Sequence, residues 1–321
     1  MIGVLVMAYG GPSSVEEIAG YLSDIRSGRV TTPEVLEEIS DHYRQIGGAS
    51  PLNEITEAQV AAIQSNLDPE IYRCYVGMRH WRPWIEEVVG QMIDDGVERA
   101  VGLVLAPHYS SMSVARYQAK IRDGLEMYRG NIDFRYIDSY HKLPAFIDCL
   151  AERVRRGIER FPESDRESVH VVFTAHSLPL VIAKRGDRYT NQLLETVRLV
   201  VARAGLGRDE WSWSYQSAGA SAQPWMGPDL PDHIAALAAR GVKNIACVPV
   251  GFVSDHVEVL FDIDIEGQEA AAEHGVRLER PEGINDDPTF ASALAELVKE
   301  RSADWAAAAR RPHPTTAHID R

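Results

Sequence analysis

The sequence predicts an α/β protein built on two parallel four-stranded sheets with helices on both faces. Three observations carry this expectation. Short apolar runs alternate with longer helical patterns along the whole chain. Most of the runs are apolar, as strands covered on both faces require. They also fall into two groups of four, the first ending near residue 140 and the second beginning near 168. Strand–helix–strand repetition of this kind closes into parallel sheets.

The chain opens with IGVLVMAY (2–9), which lacks a basic flank or cleavage site and reads as a first strand, not a leader. A helix over 53–66 follows, then the strand IYRCYVG (71–77), a helix over 83–95 and the strand AVGLVLA (100–106). A helix over 113–128 and the strand DFRYID (133–138) complete the first group. A helix over 143–160 leads into VHVVFTA (169–175), a helix over 189–204, WSWSYQ (211–216) and a helix over 231–240. The strands NIACVPV (244–250) and VRLER (276–280) and a helix over 288–309 finish the pattern. Two domains are expected, 1–150 and 151–309, with a cleft between the carboxyl ends of their strands. Residues 310–321, RRPHPTTAHIDR, read as a frayed tail whose His313 and His318 are inert.

Of the 321 residues, 45% are apolar and 25% charged, and 47 acids against 33 bases leave a formal charge of −14. That balance excludes nucleic acid as a general partner. No run is apolar enough to span a bilayer, so the cytoplasm is the expected compartment. Cys74, Cys149 and Cys247 are scattered without a CxxC pair and read as buried thiols.

Chemically capable residues gather where strands end. VVFTAHSLP (171–179) puts His176 after an apolar run, and its Ser177 lacks the GxSxG elbow of a nucleophile. VPVGFVSDHVEVLFD (248–262) repeats the logic: Ser254 is the expected helix cap and Asp255 lies in the first turn. DHVEVLFDIDIE (255–266) alternates apolar and polar residues like a strand, yet Glu258, Asp262 and Glu266 are spaced four apart. Because a strand already precedes it, the segment is read as a helix with those three acids on one face and Asp264 on the solvated edge. VMAYGGP (6–12) ends the first strand with Tyr9 and a glycine pair that admits a flat ligand. DIRSGR and HYRQIGGASPL supply Arg26, Arg29, Tyr43, Arg44 and Ser50, types that hold carboxylates. His80, His108, Tyr109 and Ser110 follow two further strand ends, and Trp81 and Trp84 read as packing. SYQSAGASAQPWMGPDL (214–230) is a long loop of the kind that lines sites.

Taken in order, VMAYGGP, IGGASPL, YVGMRH, LAPHYS, FTAHSLP, YQSAG with PWMGPDL, and PVGFVSDHVEVLFDIDIE resemble the ferrochelatases, which insert ferrous iron into a porphyrin. The resemblance implies two Rossmann-like domains, each a four-stranded parallel sheet flanked by helices, with the porphyrin in the cleft between them. It places the family's His–Glu pair on His176 and Glu258 and its acidic ladder on Asp262 and Glu266. Tyr9 is similar to the tyrosine of coproporphyrin-type members, which approaches the metal from the face opposite the histidine. Arg26, Arg29, Tyr43, Arg44, Ser50 and Ser110 are then the candidates for holding the porphyrin. The resemblance implies coproporphyrin III and Fe2+ as substrates, with protoporphyrin IX as the alternative, and a downstream haem-pathway enzyme as a possible partner. The tail has no cysteines to hold the [2Fe–2S] cluster of some relatives, and GPSSVEEIAGYLSD (11–24) is too polar for a membrane lip, so no cluster and a monomer are expected. Two rivals remain: a cobalt or nickel chelatase on a sirohydrochlorin-like ring, which often uses two histidines, and a haem carrier, which needs no acid ladder.

Overall fold

All eight apolar runs become strands. The computed structural model describes residues 1–219 and 223–309, so the tail with His313 and His318 lies outside the described residues. The first sheet holds β1 (Ile2–Ala8), β2 (Tyr72–Met78), β3 (Arg99–Val104) and β4 (Asp133–Ile137), in the order β2-β1-β3-β4. The second holds β5 (Val169–His176), β6 (Trp211–Gln216), β7 (Asn244–Pro249) and β8 (Arg277–Glu279), in the order β6-β5-β7-β8. Every pairing is parallel. All seven residues of β1 are buried, as a strand covered on both faces should be.

The helices of the first half are α1 (Ile18–Ile25), α2 (Pro33–Gln45), α3 (Leu52–Ser65), α4 (Ile85–Asp94) and α5 (Val114–Met127). Then come α6 (Pro144–Glu159), α7 (Leu180–Lys184), α8 (Tyr189–Ala204), α9 (Leu230–Ala239), α10 (Val257–Leu260) and α11 (Gln268–Glu273). The chain closes with α12 (Pro288–Arg301) and α13 (Ala303–Ala309). Thr32 caps α2 by accepting from the Val35 amide, and Asp287 caps α12 by accepting from Thr289 and Phe290. Where one helix was expected over 288–309, Ser302 intervenes. Its buried hydroxyl bonds back to the Val298 carbonyl at 2.7 Å and lies 3.1 Å from the Tyr72 hydroxyl.

The two halves share a core. Val4, Val6, Val101 and Leu103 of the first sheet pack in one cluster with Val171, Phe173 and Val248 of the second. Phe146 and Leu150 of α6 and Phe290, Leu294 and Val298 of α12 fill the space around them. Residue 150, the expected domain boundary, therefore sits inside α6. Polar links repeat the connection. Gln59 of α3 donates to the carbonyls of Val253 and Asn285 at 3.0 and 2.8 Å. Arg135 of β4 grips Asp304 of α13 at 2.5 and 2.8 Å, and its guanidinium lies 3.8 Å from the centre of the Trp305 ring. Among the described residues no helix is long and apolar enough to cross a membrane.

Candidate active site

In each sheet the strand order reverses beside its first strand, so a crevice opens at the carboxyl ends of β1 and β3 and again at those of β5 and β7. The candidate residues lie at these two reversals. β1 runs directly into Tyr9, β5 ends on His176, and β7 leads through residues 250–256 to α10 and Glu258.

Close backbone approach makes the second crevice. A Cβ on Gly251 would sit 2.6 Å from that of Ala175, so only glycine lets the exit of β7 press against the end of β5. That approach brings His176 Nε2 to 3.4 Å from Glu258 Oε1. His176 Nδ1 faces the Ser177 carbonyl, which can only accept, so Nδ1 carries the proton and Nε2 faces the carboxylate. Tyr189 donates to the His176 carbonyl at 3.0 Å. From the other side Gln216 donates to the Glu258 carbonyl at 2.7 Å and accepts from Thr174 at 2.7 Å. A second imidazole, His256, brings Nε2 to 3.4 Å from Glu258 Oε2.

Burial alone would strip the proton from His176, but the Glu258 carboxylate overrides it and raises the imidazole from 6.5 to about 9. Burial would likewise push Glu258 up, and His176 followed by His256 instead holds it far below the carboxylate range. Asp262 goes the other way. Burial lifts it to about 7, with Glu258 and Glu266 adding repulsion against a hydrogen bond from Ser217. Glu266 is exposed and also raised, by burial first and then by Asp229, Glu269 and Glu38. The three acids thus run from a half-buried pair outward to solvent.

The backbone explains their alignment. The Phe261 carbonyl accepts from both Ile265 and Glu266 at 3.0 Å, and Asp262–Gly267 is π-helical. A turn closed by i→i+5 bonds is wider than an α-turn, so residues spaced four apart stay nearly in line. The helical expectation for this segment holds in this form. Two details differ. Ser254 does not cap α10; the N-cap is His256, without a side-chain cap bond. Asp255 precedes the helix, and it and Asp264, which was expected on a solvated edge, both bind Arg280. A guanidinium that is only 8% exposed needs anionic partners, and these two acids supply them.

On the facing wall, the Tyr9 phenol is pushed up to about 12 by burial and then by the Glu258 charge, and its ring centre lies 4.5 Å from that of His80. His80 Nδ1 is 2.6 Å from Asp24. Gly10 adopts φ +80, where a Cβ would meet Trp81 at 2.8 Å. Tyr43 and Ser50 are buried beside Gly11, 3.8 Å from where its Cβ would be, and the Tyr43 hydroxyl has no hydrogen-bond partner among the described residues. The α1–α2 region closes over the acidic segment: Val257 packs with Ile18, Leu22 and Tyr43, and His42 stacks on Phe261 at 3.6 Å. Arg26 donates to the Val30 carbonyl at 3.3 Å while its Nε is buried without a partner among the described residues, and the exposed Arg29 donates to the Arg26 carbonyl at 3.0 Å. Arg44 pairs with Glu37 on the exposed face of α2. Ser110 is fully buried and donates to Asp187 at 3.2 Å, in a contact between the halves. His108 belongs to the same contact, 2.9 Å from Thr196, and Tyr109 receives Arg188 over its ring at 4.6 Å. Trp81 packs edge-on to Tyr21 and tilted against Trp84.

His256, Ser217, Gln216 and Arg280 were not singled out from the sequence. His256 had a local signal, standing two residues before Glu258. Gln216 and Ser217 stand in the YQSAG run, from which neither was picked out, and Arg280, whose partners lie 16 and 25 positions away, had no signal. Among the described residues, no three His, Cys, Asp or Glu side chains converge to hold a metal ion. A line of paired and single acids suits a cation that is handed on.

Comparison with known proteins points to one family. The family model described as Ferrochelatase matches residues 1–302. A ferrochelatase of Deinococcus radiodurans is 54% identical, covering 95% of this chain and 97% of its own length. A coproporphyrin III ferrochelatase of Geobacillus kaustophilus is 40% identical over 94% of this chain and 96% of its own length. One from Bacillus subtilis is 38% identical over 94% and 97%. Among solved structures, the cobalt complex of the sirohydrochlorin chelatase SirB from Bacillus subtilis subspecies spizizenii superposes with a TM-score of 0.55 at 12% identity, covering 95% of this chain and 97% of that one. That likeness is one of fold.

Proposed function

Because this chain belongs to the ferrochelatase family, we propose that it inserts Fe2+ into coproporphyrin III to give coproheme, as a cytoplasmic monomer. The observation that carries the porphyrin assignment is Tyr9. It stands just past the end of β1, near enough to Glu258 for that charge to disfavour its ionisation. Relatives named coproporphyrin III ferrochelatase, 38 to 40% identical, support the same reading.

Insertion exchanges two pyrrole protons for one dication. At rest His176 holds a proton against Glu258. Fe2+ arriving along Glu266 and Asp262 engages Glu258 and draws that carboxylate's charge away from the imidazole. His176 then releases its proton and, as a neutral base, takes pyrrole protons in turn. Asp262, with its value near 7, passes each one outward to Glu266 and water. Hard carboxylate oxygens suit a partly hydrated ferrous ion on this path. Tyr9 stays neutral and faces the other side of the ring. Tyr43 and Ser50, which lie beside Gly11, and Arg26, Arg29, Arg44 and Ser110 are the remaining candidates for holding the porphyrin.

The reading needs no resident [2Fe–2S] cluster. Burial pushes the thiols of Cys74 and Cys247 up to about 12 and that of Cys149 up to about 11, which suits inert side chains.

An insertion assay with Fe2+ and each porphyrin tests the proposal. Catalytic efficiency on coproporphyrin III should greatly exceed that on protoporphyrin IX, and Tyr9→Met should narrow the gap. Equal or reversed preference rejects the coproporphyrin assignment, and tight haem binding without insertion favours a carrier. His176→Ala and Glu258→Gln should each lower kcat by roughly 10²–10⁴ while the fold survives. Near-wild-type turnover in either rejects the pair.

A further inference from the structure

We infer that Arg280 is the positioning residue of this site, holding the Glu258 carboxylate in place by gripping the acidic segment at both ends. The inference rests on the proposed role of Glu258 in metal transfer.

Arg280 follows β8 and is almost fully buried. Its Nε and Nη2 donate to the two oxygens of Asp264, each at 2.6 Å. Its Nη1 donates to Asp255 Oδ1 at 2.8 Å and to the Pro281 carbonyl at 3.0 Å. The other Asp255 oxygen accepts from the Gly283 amide at 3.1 Å and from Asn285 Nδ2 at 2.9 Å. The Asp255 amide donates to Asn285 Oδ1 at 2.8 Å. One guanidinium therefore ties residue 255 to residue 264, and His256, Glu258 and Asp262 lie between the two anchors.

The segment needs such a tie. α10 begins without a side-chain cap and runs for only four residues before the chain widens into the π-turn. The π-turn after it is a geometry that sequences seldom adopt unaided. Gln216 fixes one carbonyl, that of Glu258, and leaves the ends free. Only a planar fork reaches two carboxylates at once; the point charge of a lysine ammonium cannot span them. Arg280 makes its contacts on the Asp255 and Asp264 side of the segment and acts through the backbone.

The test compares the wild-type chain with Arg280→Lys and Asp264→Asn. It measures kcat, KM for porphyrin and amide hydrogen exchange. Arg280→Lys should lower kcat about tenfold or more, as sub-ångström misplacement of a reacting group does. KM for porphyrin should stay within about twofold. Exchange should quicken across residues 257–267 and not across β5–β7. Asp264→Asn keeps the side-chain shape and the Asp255 contact, so it should fold and move the same readouts in the same direction by about threefold or more. If Arg280→Lys does not fold, Asp264→Asn decides alone. Unchanged kcat and unchanged local exchange in folded Asp264→Asn overturn the inference. So does a uniform rise in exchange over the whole second sheet with kcat per folded molecule intact, which would mark a merely structural ion pair. The exchange readout needs no turnover. A wild-type chain that inserts no iron therefore sinks the proposed function, whereas unchanged exchange sinks the clamp.

Discussion

At the scale of single residues, the pairing of His176 with Glu258 has a definite pH signature. The folded-state imidazole sits at about 9, above its ordinary 6.5, so its contribution to stability is complete below about 6.5 and is lost as pH rises through about 9. Glu258 is depressed, so its contribution is present above the ordinary carboxylate range and is lost as pH falls. The urea midpoint of wild type over Glu258→Gln should therefore be greatest on the acid side of neutrality and fade by about pH 9. A gap that widens with alkali would contradict the pairing. Asp262, poised near 7, should give the insertion rate an inflection near neutral pH that Asp262→Asn abolishes, read from a pH–rate profile. His176 and Glu258 were named together only through the family resemblance of FTAHSLP and PVGFVSDHVEVLFDIDIE, and the structure brings them to 3.4 Å. Arg280 was not legible in the sequence, because its partners lie 16 and 25 positions away and a buried arginine looks like any other on paper.

At the scale of elements, the acidic segment shows why two periodicities competed. Its alternating pattern suited a strand and its spacing of four suited a helix, and the structure satisfies the second with a turn wider than the α-helix. The sequence decided between strand and helix only through context, because β7 had just ended. α1 and α2 were not among the helices read from patterning. α1 is short, and α2 is largely polar, because together they close over Val257 and Phe261 instead of covering a sheet. The glycine at 251 governs how closely β7 and β5 approach. Gly251→Ala should cost about 1–3 kcal/mol through overpacking and widen the His176–Glu258 gap. Equilibrium denaturation and the insertion rate check it, and a variant that keeps both would show that Ala175 can yield.

At the scale of the whole molecule, the two sheets are joined by one apolar core. Two groups of four strands were plain in the sequence, but nothing in it revealed that α12 would lie against the first sheet. That placement depends on Phe290, Leu294 and Val298 joining the core from the far end of the chain as α12 packs against β3 and β4. Phe290→Ala should cost about 3–5 kcal/mol, and both sheets should still melt in a single transition, followed by calorimetry and by exchange in β1 and β5. Two separated transitions would mean that the halves stand alone. The same placement sets an order on synthesis. The first sheet is made early, yet its apolar face is finished only by α12, which emerges after about nine-tenths of the chain. Until then the nascent first half carries an open hydrophobic surface, the kind of intermediate that aggregates or recruits a chaperone. Ribosome-bound chains halted before residue 288 should resist protease poorly in β1–β4, and release of the complete chain should protect all four strands together.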